Sequence, residues 1–226
     1  MQLWREQRRL IITTGALFAA FLIVTIQVVW DGPLRIIDAE LSNSTWYDEH
    51  PLSLKIAGYI DHLGLRGLTA TILIGIAGLI WYLNKQPRPM ILAVLALVGL
   101  NLVVGAIKLM VGRTKPRLGL DVVDAGGLSY PSGHSANAVL TWGLIAYLLV
   151  QYSRRARKRA GRLVFTVASI TIAVVSVSIF RNTHWFTDLL GGVLIGATLL
   201  AALITIDRHH LQGVGLKVQS DKEMAG

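Results

Sequence analysis

Residues 89–111 read PMILAVLALVGLNLVVGAIKLMV, and this stretch decides the fold. Lys108, near its end, is the one charged side chain in it. Crossing a hydrocarbon layer takes about 20 helical residues, and inside it every backbone N–H and C=O must find a partner within the protein. A helix meets both demands, so 89–111 reads as a membrane-spanning helix. Five further stretches, near 10–30, 67–84, 135–152, 163–180 and 186–206, are long and apolar enough, or nearly so, for the same reading. With 53% hydrophobic and 15% charged residues, and a mean hydropathy of +0.55, the chain is too apolar for an ordinary soluble domain. The expected fold is all-α: a polytopic bundle of six transmembrane helices.

One membrane domain is expected over 1–206, followed by a mobile, polar tail at 207–226. The first stretch follows Arg5, Arg8 and Arg9 as a signal peptide would, but its apolar run is long and no small-residue cleavage site follows, so it reads as a retained helix. Between the first two spans, 31–66 is polar. The spacing of Leu52, Ile56, Tyr59, Ile60 and Leu63 within it fits an amphipathic helix at the interface, with an ordinary external loop as the alternative.

A formal charge of +9 raises the question of nucleic acid. The basic residues lie between apolar stretches and form no aromatic-interleaved basic face, which argues against that partner. With no cysteine there is neither a disulfide nor a thiolate metal site. Lys and Arg concentrate in the N-terminus, the 85–88 turn, the 153–162 loop and the C-terminus, which six crossings put on one side. Cytoplasmic loops carry such an excess, so both termini are expected in the cytoplasm. Lys108, Pro131-Ser132-Gly133-His134 and the Arg181–Asp188 segment then share the opposite, outer face.

Those three pieces carry the chemistry. Small residues at 131–133, just before an apolar stretch, let backbone N–H groups approach an anion at a helix N-terminus, with His134 beside it. On a helix, His184 and Asp188 share one face at i and i+4, so the carboxylate could fix the imidazole tautomer. Singly, each has a plain structural explanation: a turn and cap, a satisfied polar pair, a lysine reaching the interface. Their joint occurrence on one predicted face points to phosphate chemistry. Gly192 and Gly196 form a small-residue helix face suited to close packing, and Asn101 is expected in an interhelical hydrogen bond.

In this order the pieces resemble the signature of the type 2 phosphatidic acid phosphatase family, most strongly over 105–192. The family pattern opens with Lys, six residues and Arg-Pro; here Lys108 is followed by Lys115-Pro116. Its Pro-Ser-Gly-His stands unchanged at 131–134. Its last part is Ser-Arg, five residues, His, three residues, Asp; His184 and Asp188 match, but Val177-Ser178 replaces Ser-Arg.

The resemblance implies a bacterial cytoplasmic-membrane hydrolase that releases phosphate from a lipid phosphate or diphosphate through a phosphohistidine, with no metal and no cofactor. It makes polyprenyl diphosphate, phosphatidylglycerol phosphate and phosphatidate the leading substrates. It implies that His184 attacks phosphorus, Asp188 orients it, and His134 serves as acid and then base, while Lys108, Lys115, Ser132 and Gly133 hold the phosphoryl oxygens. Lys115 lacks the planar fork of arginine, which Arg113 or Arg117 could supply. Arg181, three residues before His184, is expected to replace the arginine missing at 178. Phosphotransfer to another acceptor, or lipid binding and translocation by a weakened enzyme, are the alternatives.

Overall fold

The computed structural model describes residues 2–42 and 51–224, with side chains described over 5–42 and 55–209. The chain runs through α1 (Gln2–Val29), α2 (Leu34–Ser42), α3 (Pro51–Asp61), α4 (Arg66–Asn84) and α5 (Arg88–Val111), then α6 (Gly133–Asn137) and a π-helical turn (Ala138–Trp142). It continues through α7 (Gly143–Tyr152), α8 (Arg154–Arg157), α9 (Ala160–Phe180) and α10 (Phe186–Met224). Among the described residues, six helical segments are long and apolar enough to span a membrane: 5–29, 66–84, 88–118, 133–152, 160–180 and 186–209. Hydropathy therefore located all six spans. The last helix, however, continues beyond 206, the limit expected from the sequence, as far as Met224.

The 31–66 segment contains two helices, α2 and α3; residues 43–50 lie outside the description. On α3 Ala57 is buried while Ile56 and Tyr59 are exposed, so the helix packs through its small residue and presents larger apolar groups outward. Asn101 departs from its expected interhelical bond. It is exposed and donates to the Leu97 carbonyl of its own helix at 2.7 Å.

Two features of the fold build the site. The first is the contact between α6 and α10, both of which start at the same end of the bundle. A Cβ at Gly192 would lie 2.4 Å from the Ser132 carbonyl oxygen, and one at Gly196 would lie 2.5 Å from that of Ala136. Only glycine permits this approach, and the expected small-residue face is what presses the 131–134 motif onto the last helix. The second is the loop after α5. Gly112 ends that helix at φ +58°, the left-handed region glycine adopts without penalty, and its N–H donates to the Lys108 carbonyl at 3.0 Å. The chain then doubles back: Thr114 donates to the Val122 carbonyl at 2.9 Å, and Ser129 to that of Arg113 at 3.0 Å.

At the opposite end Arg88 of α5 and Tyr147 of α7 both donate to Asp207 of α10. Paired charges and hydrogen bonds are the form in which a buried carboxylate is tolerated between helices. This contact ties the spans together far from the site.

Candidate active site

Asp188 is the centre of the site, and its side chain is fully buried. One of its oxygens accepts from Arg113 Nη1 at 2.8 Å. The other accepts from the Ser129 hydroxyl and from the Trp185 N–H at 3.1 Å, and lies 3.3 Å from His184 Nδ1. Trp185 immediately precedes α10, so Asp188 caps the start of its own helix while holding the imidazole. The expected His184–Asp188 pair therefore forms by a different route. His184 stands two residues before the helix begins, and the cap, not a shared helical face, brings the two together. With Nδ1 facing Asp188 and, at 3.4 Å, the Ser129 hydroxyl, the imidazole keeps Nε2 for chemistry.

His134 belongs to the same centre. The charges acting on it are those of Asp61, His184, Arg66 and Arg181. The motif before it is tied to the last helix by the Ser132 N–H, which donates to the Asp188 backbone carbonyl at 2.8 Å. Ser132 is itself buried, and its hydroxyl accepts from Ser135 as the cap of α6. Gly133 and His134, in the first turn of α6, have N–H groups with no acceptor inside the helix.

The lysines of the first motif flank this centre. Lys108 donates from Nζ to the carbonyls of Leu128 and, at 3.2 Å, Ser129, next to the serine that holds Asp188. Lys115 is exposed and is one of the charges acting on Lys108.

The three expected arginines go elsewhere. Arg113 is completely buried. Its Nε and Nη2 bind Asp121 at 2.7 and 2.6 Å, Nη2 also binds Asp38 at 2.6 Å, and Nη1 binds Thr187 at 2.7 Å as well as Asp188. Trp185 lies against the guanidinium, 5.3 Å from ring centroid to Cζ. Asp38 of α2 in turn accepts from the Thr187 N–H at 2.8 Å and from its hydroxyl at 2.6 Å. Burial pushes the Asp38 carboxyl above its ordinary pKa, and hydrogen bonds from Arg113 and Thr187 pull it back. Arg117 donates to the Arg181 carbonyl at 2.9 Å. Arg181 is paired with Asp61 at 2.7 Å, so a carboxylate matches the charge that was to replace the missing arginine. Ser178, at that arginine's place, is buried, and its carbonyl accepts from Thr183.

Sequence reasoning missed Ser129, Asp38 and the true position of Arg113. Ser129 stands two residues before the Pro-Ser-Gly-His motif, the one local signal that could have suggested it.

The profile of the PAP2 superfamily matches residues 88–210. This chain belongs to the PAP2 superfamily. Among curated proteins, the PAP2 chain resembles phosphatidylglycerophosphatase B of Bacillus subtilis (strain 168), 27% identical over 187 residues that cover 81% of this chain and 89% of the relative. Its fold matches the crystal structure of the first transmembrane PAP2 type phosphatidylglycerolphosphate phosphatase from Bacillus subtilis, with a TM-score of 0.77 and 22% identity. That match covers 87% of this chain and 96% of the other. The protein is thus a multi-pass membrane lipid phosphatase of the PAP2 superfamily. His134, His184 and Asp188 lie inside the matched region, whereas Asp38, Asp61 and Arg66 lie before it.

Proposed function

We propose that the chain hydrolyses phosphatidylglycerol phosphate to phosphatidylglycerol and inorganic phosphate, through a phosphohistidine on His184. The observation that carries this reading is the His184–Asp188 contact, in which a buried carboxylate held by Arg113, Ser129 and Trp185 faces one ring nitrogen and leaves the second without a partner among the described residues.

In the first step His184 Nε2 forms a bond to phosphorus as the bond from phosphorus to the lipid oxygen breaks. His134, protonated, gives its proton to that oxygen, so the alcohol leaves neutral. In the second step His134 takes a proton from water as the water oxygen attacks phosphorus. The N–P bond then breaks, and inorganic phosphate departs. Asp188 stabilises the positive imidazole during both steps, as a carboxylate does for a catalytic histidine. Lys108, Lys115 and the free N–H groups of the first α6 turn face the equatorial oxygens, where fixed positive charge stabilises the transition state.

Leu109, Met110, Leu118 and Leu120 are exposed around the two lysines. Such groups suit a bilayer edge, so a lipid entering sideways keeps its chains in hydrocarbon while its phosphate reaches the cations. The Lys and Arg distribution supports cytoplasmic termini and an outward-facing site in a bacterial inner membrane.

The test is phosphate release by the purified chain in detergent micelles with each of three lipids in turn: phosphatidylglycerol phosphate, phosphatidate and a polyprenyl diphosphate. The expected order places phosphatidylglycerol phosphate first, with a rate unchanged by excess chelator, since the positive charge comes from lysines. Absence of release from all three would refute the reading, and faster turnover of another lipid would refute the substrate. Loss of activity in chelator, restored by a divalent ion, would refute the metal-free mechanism.

A further inference from the structure

We propose that Arg66 is the guanidinium that grips the substrate phosphate, taking over the task that Ser178 cannot perform. This rests on the phosphatase reading above and adds a residue outside the matched superfamily region.

Geometry points there first. A Cβ built on Gly133 would lie 3.0 Å from Arg66 Nη2, so the guanidinium sits directly over the glycine of the Pro-Ser-Gly-His motif. That glycine and His134 carry N–H groups that have no acceptor within α6. The same side chain acts electrostatically on both Lys108 and His134. Asp188 acts on Lys108 and Asp61 on His134 in the opposite sense, and Arg66 adds positive charge beside the motif, where it favours an anion.

The second observation is that Arg66 has work to spare. Arg35, Arg113 and Arg181 are each committed to carboxylates, and Arg117 to a carbonyl. The Arg66 side chain has no hydrogen bond or ion pair among the described residues, although it stands against Gly133 of the motif. Its planar fork offers the bidentate grip on phosphate that Lys115 cannot provide.

The third is that its position is built. Arg66 opens α4, and buried Asn137 of α6 straddles it, donating to the Gly64 carbonyl at 2.9 Å and to the Thr69 hydroxyl at 2.5 Å. Trp142 donates to the Leu63 carbonyl at 2.9 Å, and a Cβ at Gly64 would meet His134 Cβ at 3.0 Å. Four contacts thus lock the start of α4 and the residues before it against α6 and the π-helical turn, with Arg66 at the seam.

The experiment uses the full chain in micelles with Arg66→Ala, Arg66→Lys and, for comparison, Arg181→Ala. Turnover of phosphatidylglycerol phosphate is measured beside equilibrium binding of inorganic phosphate. Arg66 is exposed, so its truncation removes no core packing, and Arg66→Lys keeps the charge. Arg66→Ala is expected to lower kcat about 10²-fold, the usual cost of losing one preorganised donor, and to weaken phosphate binding at least about tenfold. Arg66→Lys should recover part of both, and Arg181→Ala should change binding less than Arg66→Ala.

Phosphate affinity of Arg66→Ala within about twofold of wild type would overturn the assignment. So would a larger loss from Arg181→Ala. If the wild type released no phosphate from lipid, yet Arg66→Ala still weakened phosphate binding, the hydrolase reading would fall and the Arg66 site would stand.

Discussion

His184→Ala is expected to lower phosphate release by about 10⁴–10⁶-fold, the range seen when the member of a catalytic unit that forms the covalent bond is removed. The Nδ1 face of His184 is occupied by Asp188 and Ser129, so Nε2 is the atom available to phosphorus, and alanine leaves no atom in its place. The residual rate comes from the cationic cup, which still binds and polarises the phosphoryl group. Steady-state phosphate release with matched protein concentrations checks this. A variant that kept more than about a tenth of wild-type kcat would show that another group makes the bond.

Arg113→Ala is expected to have the second largest effect, although the Arg113 guanidinium is engaged by protein groups alone among the described residues. Its side chain is wholly buried, and it binds Asp38, Asp121 and Asp188 together. Breaking a buried charge pair from one side leaves carboxylates unmatched and costs about 3–5 kcal/mol. The fold should loosen, since α2, the 112–130 loop and the start of α10 all meet at this residue. In the fraction that remains folded, kcat should fall while KM changes little, because Asp188 loses its anchor and the imidazole its alignment, but the lysines remain. Arg113→Lys should restore little, since a single ammonium cannot bridge three carboxylates in a plane. Thermal unfolding and the split between kcat and KM together check the assignment. Full activity and stability in Arg113→Lys would contradict it.

Part of this arrangement is legible in the sequence. The spans were legible because the bilayer imposes a length and an apolarity that any stretch such as 89–111 must meet. His134, His184 and Asp188 were legible because their spacing follows a short local pattern. The support around them was not. Asp38 reaches Arg113 across 75 residues, and Asp61 reaches Arg181 across 120. No periodicity records such a meeting, since it depends on how helices pack.

For the same reason, proximity in sequence misled at the arginines. Arg113 and Arg181 lie near motif positions, yet carboxylates from distant helices hold both. Arg66 lies far from every motif in sequence and sits against Gly133 in space. The glycine face at 192 and 196 was legible as a packing signal, but its consequence emerged only once Ser132 was found pressed against it.

The central claim is that His184 carries the phosphoryl group between lipid and water. Rapid quenching of the purified chain during turnover of lipid labelled in its terminal phosphate tests this most directly. The account predicts a protein-bound label that is stable in alkali, lost in acid, mapped to His184 and missing from His184→Ala. Full turnover by the wild type with no such label at any time, or with the label on another residue, would contradict it.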